Sequence, residues 1–306
     1  MRTGPLVTAL LAWLAVAAVP AAAQSPVSGL RAHGPWVSFE RDGHRVLDQR
    51  GALSAFPTVG ERLDLAADAR GRGVGVYAAC DGRSDPAERT CAIRERRLTT
   101  GRTRTLLAKR RGITAVGHDR GLLALAIWAG DGEAPGDGGE LSKIVIRRPG
   151  ESKLRTIRHR QRATRLEVGG GFVMFFDETS PTQQRVGVID VRGAKPKLVF
   201  TTASREPCKC TSTSTIFDAT LDGRHVYWTE VAYYSPDGLG TGNANYETFR
   251  RIRRVDFRAP GRVVEEHRTQ NEARSIAVAD GVLYHDADEA YAEGRRPSWQ
   301  AVPEFP

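Results

Sequence analysis

Along the chain the apolar residues fall in short bursts separated by Gly, Asp, Pro or charge, with no long amphipathic stretch between them. Val74 to Ala79, Leu122 to Trp128, Phe172 to Phe176, Val226 to Val231 and Val282 to Tyr284 are such bursts, rich in Val, Ile and aromatic residues. Short apolar runs bounded by turn residues read as buried strands, because β-branched and aromatic side chains suit a pleated surface and the runs are too short for a helix. The best helical candidate, Tyr246 to Arg258, sets Phe249, Ile252 and Val255 three residues apart, which fits neither a helical face nor a clean alternation. The pattern predicts an all-β chain.

The spacing of the bursts adds an architecture. A glycine precedes each one, at Gly34, Gly73, Gly121, Gly171, Gly223 and Gly281, at intervals of 39, 48, 50, 52 and 58 residues. An aromatic follows each within a few positions: Trp36, Tyr77, Trp128, Phe175, Tyr227 and Tyr284. A shorter apolar segment such as Leu63 to Ala67 or Ile113 to Val116 lies upstream, and a charged hairpin such as Ser142 to Arg148 with Lys153 to Arg158 lies downstream. Each unit then holds about four strands in about 50 residues, the period of a propeller blade, whose small sheet buries its faces only by stacking on its neighbours. We expect a single β-propeller of about six four-stranded blades over 24–306, with five or seven as alternatives; an irregular sandwich with evenly spaced turns is the competing architecture. Inner strands should be apolar and outer ones amphipathic, with Arg94, Arg96, Arg97, Arg102, Arg104, Arg147, Arg148, Arg155, Arg158, Arg250, Arg251, Arg253 and Arg254 on the rim.

The inner pairs Ile113 to Trp128 and Ile216 to Trp228 resemble the blades of secreted bacterial TolB-like and WD40-like β-propellers. The Trp-Asp dipeptide of true WD40 repeats is missing, and so is the N-terminal α/β domain of TolB. The resemblance implies a fold and at most a binding role, and transfers no catalytic residue.

The N-terminus changes the expected compartment. Arg2, an apolar run from Leu6 to Val19 broken by Thr8, and then Pro20 and Ala21 to Ala23 form the pattern of a secretory signal peptide over 1–23. The run is shorter than the roughly 20 residues of a spanning helix. We therefore expect an exported chain of 283 residues, extracellular or periplasmic, without a membrane span and monomeric. The formal charge of +9 comes from 45 basic residues, only six of them Lys; dispersed over an exported protein, it does not point to nucleic acid.

Four cysteines in an exported chain suggest disulfides. Cys80 and Cys91 flank a ten-residue loop and should staple a hairpin; Cys208 and Cys210 should pair with each other or with the first two. The longest run of turn chemistry, Tyr233 to Glu247, offers Tyr233, Tyr234, Asp237, Asn243, Asn245 and Tyr246 as a ligand-binding loop, since Tyr and Asn give flat area and adaptable hydrogen bonds. Asp131, Glu133, Asp137 and Glu140, and again Asp286, Asp288 and Glu289, cluster oxygens that could take Ca²⁺, but in no EF-hand spacing, and solvated acidic loops are far commoner. No cofactor is expected.

No nucleophile elbow, zinc-protease motif or phosphate-binding loop occurs, and the seven histidines are scattered, with His118 and His225 expected in equivalent turns. The function this favours is a non-catalytic propeller that binds a protein or cell-envelope polysaccharide through loops on one face. The alternative is a propeller hydrolase or lyase, Ca²⁺-dependent in one form, with its site in the central channel.

Overall fold

The chain folds as a β-propeller. A computed structural model describes residues 28–301 except 42–43, 51, 57–61, 86, 129–141, 160, 179–182, 205–211, 236–246, 260–262, 270–272 and 287–299. The expected signal peptide, Cys208 and Cys210, and the acidic run from Asp131 to Glu140 lie outside the described residues.

Five sheets have four antiparallel strands each: β1–β4 (Ser28–His33, Trp36–Arg41, His44–Gln49, Ala52–Ala55), β5–β8 (Leu63–Ala67, Gly73–Cys80, Thr90–Arg97, Thr103–Arg111), β9–β12 (Ile113–Asp119, Leu122–Trp128, Ser142–Arg147, Arg155–His159), β13–β16 (Ala163–Gly169, Phe172–Glu178, Gln184–Asp190, Lys197–Ala203) and β17–β20 (Ser212–Asp222, His225–Tyr234, Glu247–Asp256, Val263–Arg268). A sixth sheet, β21–β23 (Ile276–Ala279, Val282–His285, Gln300–Ala301), has three strands among the described residues. The expectation of about six four-stranded blades thus resolves into five such blades and this smaller sheet. No helix occurs among the described residues. The first strand of each sheet packs against the first strand of the next, and β21 returns to β1, so these six strands ring the axis. Among the described residues every sheet is one contiguous stretch of sequence, and none takes a strand from elsewhere in the chain.

The spaced glycines have a local cause. Five of the six sit in the tight turn from the first strand to the second, where backbone with positive φ fits the strand twist. In the third, fourth and sixth sheets both central residues have it: Arg120 at φ 47 with Gly121 at φ 89, Gly170 at φ 57 with Gly171 at φ 82, and Asp280 at φ 51 with Gly281 at φ 73. Gly73 differs, opening β6 after a longer turn in which Asp68 accepts from the main-chain N–H of Arg70 and Arg72.

The unbroken apolar second strands follow from burial on both faces. On β10, Leu123 and Leu125 join Val74, Val76, Ile93 and Val116 between the second and third blades, while Ala124 and Ala126 join Leu166, Val173 and Phe175 between the third and fourth. β14 repeats the arrangement, with Val173 and Phe175 on one side and Phe172, Met174 and Phe176 packed with Val226 and Trp228 on the other. A strand of period two that touches two blades needs apolar residues at every position. β4 is exposed throughout, and β8 and β16 are exposed or half-buried. The arginines expected at the rim are split: Arg94, Arg96, Arg97, Arg147, Arg250, Arg251, Arg253 and Arg254 belong to third strands, one place inside the edge, where Arg251 and Arg253 hold buried Glu230, while Arg104, Arg155 and Arg158 belong to fourth strands.

Cys80 and Cys91 form a disulfide as expected, joining directly paired residues of β6 and β7. Closing so short a loop should stabilise by roughly 2–3 kcal/mol in the chain-entropy model. The Cys80→Ala/Cys91→Ala variant is therefore expected to lose that much in urea unfolding. An unchanged midpoint would show that the ladder alone holds this hairpin.

Candidate functional site

The axis is made of polar side chains on otherwise apolar first strands. Each neighbouring pair of these strands is joined by a bond involving a side chain. Arg31 Nε donates to Leu63 O at 3.0 Å, and Asp64 accepts the N–H of His118 at 2.7 Å. Thr114 donates to Ala163 O at 2.6 Å, and Glu167 accepts the N–H of Leu221 at 2.6 Å. Asp218 accepts the N–H of Ile276 at 3.1 Å, and Ser275 Oγ accepts the N–H of Leu30 at 2.8 Å, which closes the ring. These bonds answer a physical need. The inner edge of each sheet leaves main-chain groups without a strand partner, and unpaired buried polar groups are costly.

Charge is balanced within the ring. Arg165, 3% exposed, bonds both Glu167 and Asp218, and Glu167 also accepts from the Thr220 hydroxyl at 2.9 Å. Burial works against the Arg165 cation, but Asp218 and then Glu167 outweigh it and hold its pKa above the ordinary arginine range. Arg31 is pushed down to about 10, by burial first and Arg165 second, and stays charged at neutral pH. Burial, with Glu167 adding to it, pushes the Asp64 carboxyl well above the usual carboxylate range.

Above this floor, at the end of the wheel carrying the first-to-second-strand turns, lies a cavity of about 670 Å³. Asp64 and Glu167 are at its base; His33, Asp119, Arg120, Asp222 and Asp280 come from the turns, and the glycine run 169–171 forms one wall. Towards the groove between the third and fourth blades it meets Leu122, Pro149 and Val191. Burial depresses the His33 pKa below 6.5 against the opposing pull of Asp119 and Asp280, so the ring is neutral at pH 7. Burial raises the Asp119 carboxyl, although the N–H of Gly170 donates to it at 3.3 Å. A concave mouth of this volume with few convergent polar groups is the form small-ligand and peptide sites take.

The loop singled out in the sequence lies elsewhere. β18 starts at His225, beside the mouth, and runs away from it, so Tyr233 and Tyr234 stand at the opposite end of the wheel. Both are strand residues, paired with Thr213 and Ser212, and as consecutive residues they point to opposite faces of the sheet. Asp237, Asn243, Asn245 and Tyr246 lie outside the described residues. So do Asp288 and Glu289; Asp286 accepts the N–H groups of Arg274 and Ser275 at 2.8 and 3.0 Å. His118 and His225 are not equivalent: His118 is inside β9 opposite Leu123, and His225 opens β18 opposite Asp222. The axial residues escaped notice because their partners lie in other blades, as Asp218 does for Arg165, far away in sequence. The available signal was an acid between apolar neighbours in successive first strands, as in Leu63-Asp64-Leu65 and Leu166-Glu167-Val168.

No family model matches the chain, and no curated protein matches it. Solved structures do. A chain of the mitotic checkpoint complex aligns with TM-score 0.49 and 10% identity, over 92% of this chain and 96% of that one. The β-propeller domain of the Trilobed protease from Pyrococcus furiosus aligns with TM-score 0.47 and 10% identity, over 86% and 91%. An oligogalacturonate lyase in complex with manganese aligns with TM-score 0.45 and 11% identity, over 91% and 78%.

Proposed function

We propose that this is an exported, non-catalytic propeller that binds a protein partner at the cell envelope, and that the axial mouth beside His33 is where it does so. The observation that carries this reading is the division of labour along the axis. Arg31, Asp64, Arg165, Glu167 and Asp218 are engaged in holding blades together, and the cavity above them is walled by turns on a rigid ring. Turns on such a scaffold can vary and bind without disturbing the core. Export is supported by the Cys80–Cys91 disulfide, which persists in oxidising compartments. No helix among the described residues is long and apolar enough to cross a membrane.

The test compares capture of envelope proteins by three forms of the chain. Filling the rim with His33→Trp should weaken capture of a wild-type partner by about thirtyfold or more, as loss of a hot-spot contact of about 2 kcal/mol does. The Tyr233→Ala/Tyr234→Ala/Tyr246→Ala variant should bind as wild type does. The reverse result would move the site to the opposite face and restore the tyrosine loop. Turnover of a polysaccharide or peptide substrate, lost on mutating the axis, would establish the hydrolase or lyase alternative instead.

A further inference from the structure

The charged groups around the mouth are unequally committed. Glu167 is bonded to Arg165, Thr220 and the main chain of Leu221. Arg192 lies on Asp190, and Arg148 donates to the carbonyls of Val191 and Gly193, so neither cation faces the axis with its hydrogen bonds unspent. The acids are freer. Asp64, 4% exposed and at the base of the cavity, accepts through Oδ2 alone, from the N–H of His118. Asp119 accepts only the long bond from Gly170, and Asp280 stands across the rim beside neutral His33. Arg120 is the cation at the rim, acting on both Asp119 and His33, while Arg31 and Arg165 act on Asp64 from the floor.

We infer that the mouth receives a cationic group from the partner, an amine or guanidinium on an extended peptide segment, held between Asp119 and Asp280 above the free oxygen of Asp64. This rests on the mouth being the binding site. An entering anion would meet three carboxyl groups; a cation supplies the missing countercharge and donates to oxygens that burial has stripped of water. Burial raises the Asp64 and Asp119 carboxyls and the Tyr284 hydroxyl, so their charged forms stand to gain from a cation brought beside them. A bare metal ion fits less well, since no three His, Cys, Asp or Glu side chains among the described residues converge as its ligands would. A peptide cation is longer, and the glycine run 169–171 leaves room beside it for a main chain leading towards Leu122 and Pro149.

The test uses acetyl-Gly-Gly-Arg-Gly-Gly-amide and the same peptide with citrulline, which keeps the shape of arginine and removes its charge. Titrations to millimolar concentration are followed by calorimetry and by the His33 ring resonances, assigned with His33→Gln. The arginine peptide should shift His33 and bind about tenfold more tightly than its citrulline counterpart, with affinity falling as salt rises. Asp119→Asn/Asp280→Asn, which keeps shape and the acceptor for Gly170, should abolish that difference and leave the melting midpoint nearly unchanged. Equal binding of both peptides with a His33 shift would refute the cation and leave the mouth as the site. If neither peptide moves His33, both the cation and the mouth as the site are refuted.

Discussion

Arg165→Met is expected to destabilise the wheel by about 3–5 kcal/mol, the cost of breaking a buried ion pair from one side. The guanidinium is almost fully buried and carries bonds to Glu167 in its own strand and Asp218 in the next blade. Without it, two carboxylates are left on the axis with only Arg31 as a nearby cation, while still bonded to the main chain of Leu221 and Ile276. Among the described residues β13 and β17 share no sheet, so the junction between these blades rests on side-chain bonds and packing. A second variant separates lost charge balance from lost packing. Arg165→Met/Glu167→Gln/Asp218→Asn removes all three charges and keeps both acceptors, so it should be more stable than Arg165→Met by itself. Urea unfolding followed by tryptophan fluorescence measures both. A loss below about 1 kcal/mol for the single variant, or a triple variant worse than the single, would show that the axial charges do not hold the blades.

The fold was legible because its causes are local. A tight turn such as Arg120-Gly121 needs residues that tolerate positive φ, and a strand packed on both faces, such as Leu122 to Ala126, needs apolar residues at every position. Both leave marks within ten residues of sequence. The Cys80–Cys91 bridge was legible for the same reason, since a hairpin brings together residues that the loop separates only briefly. The third strand of the last sheet, Gln300–Ala301, left no comparable burst after the strong pair around Gly281.

The mouth was not legible, and the reason is geometric. His33, Asp119 and Asp280 lie in turns of three different blades, and nothing in any one turn distinguishes it from a solvated one. Only closure of the ring brings β21 against β1 and places Asp280 across from His33. Loop length drew attention to the segment after Tyr233 instead, because length is visible in sequence and direction is not. An antiparallel meander sends successive connections to alternate ends of the wheel, so a loop after the second strand opens away from the turns after the first.

Acid titration should expose one buried and one half-buried group whose effects run in opposite directions. His118 is 3% exposed with Nδ1 unbonded, and its pKa is pushed down to about 4, by burial first, against the pull of Glu95 and with Arg104 and Arg147 adding to it. Below pH 6.5 the unfolded chain protonates this imidazole while the folded one refuses the proton until about pH 4. Stability is therefore lost across that window, by about 3 kcal/mol in full. Asp286 is pushed up to about 6, again by burial first, with Asp218 adding and the N–H groups of Ser275 and Arg274 opposing. Between pH 6 and 3.8 the folded carboxyl keeps a proton that the unfolded one releases, so stability is gained as pH falls, by about 3 kcal/mol. The comparison that isolates each group is the variant minus wild type at pH 7 and at pH 4. His118→Gln should gain about 3 kcal/mol relative to wild type on going from pH 7 to pH 4, and Asp286→Asn, which keeps the acceptor for Arg274 and Ser275, should lose about as much. Urea unfolding at the two pH values measures both differences. A pH-independent offset for His118→Gln would mean that the imidazole is open to protons in the folded state, and the packing between β7 and β9 around it would then be looser than its burial implies.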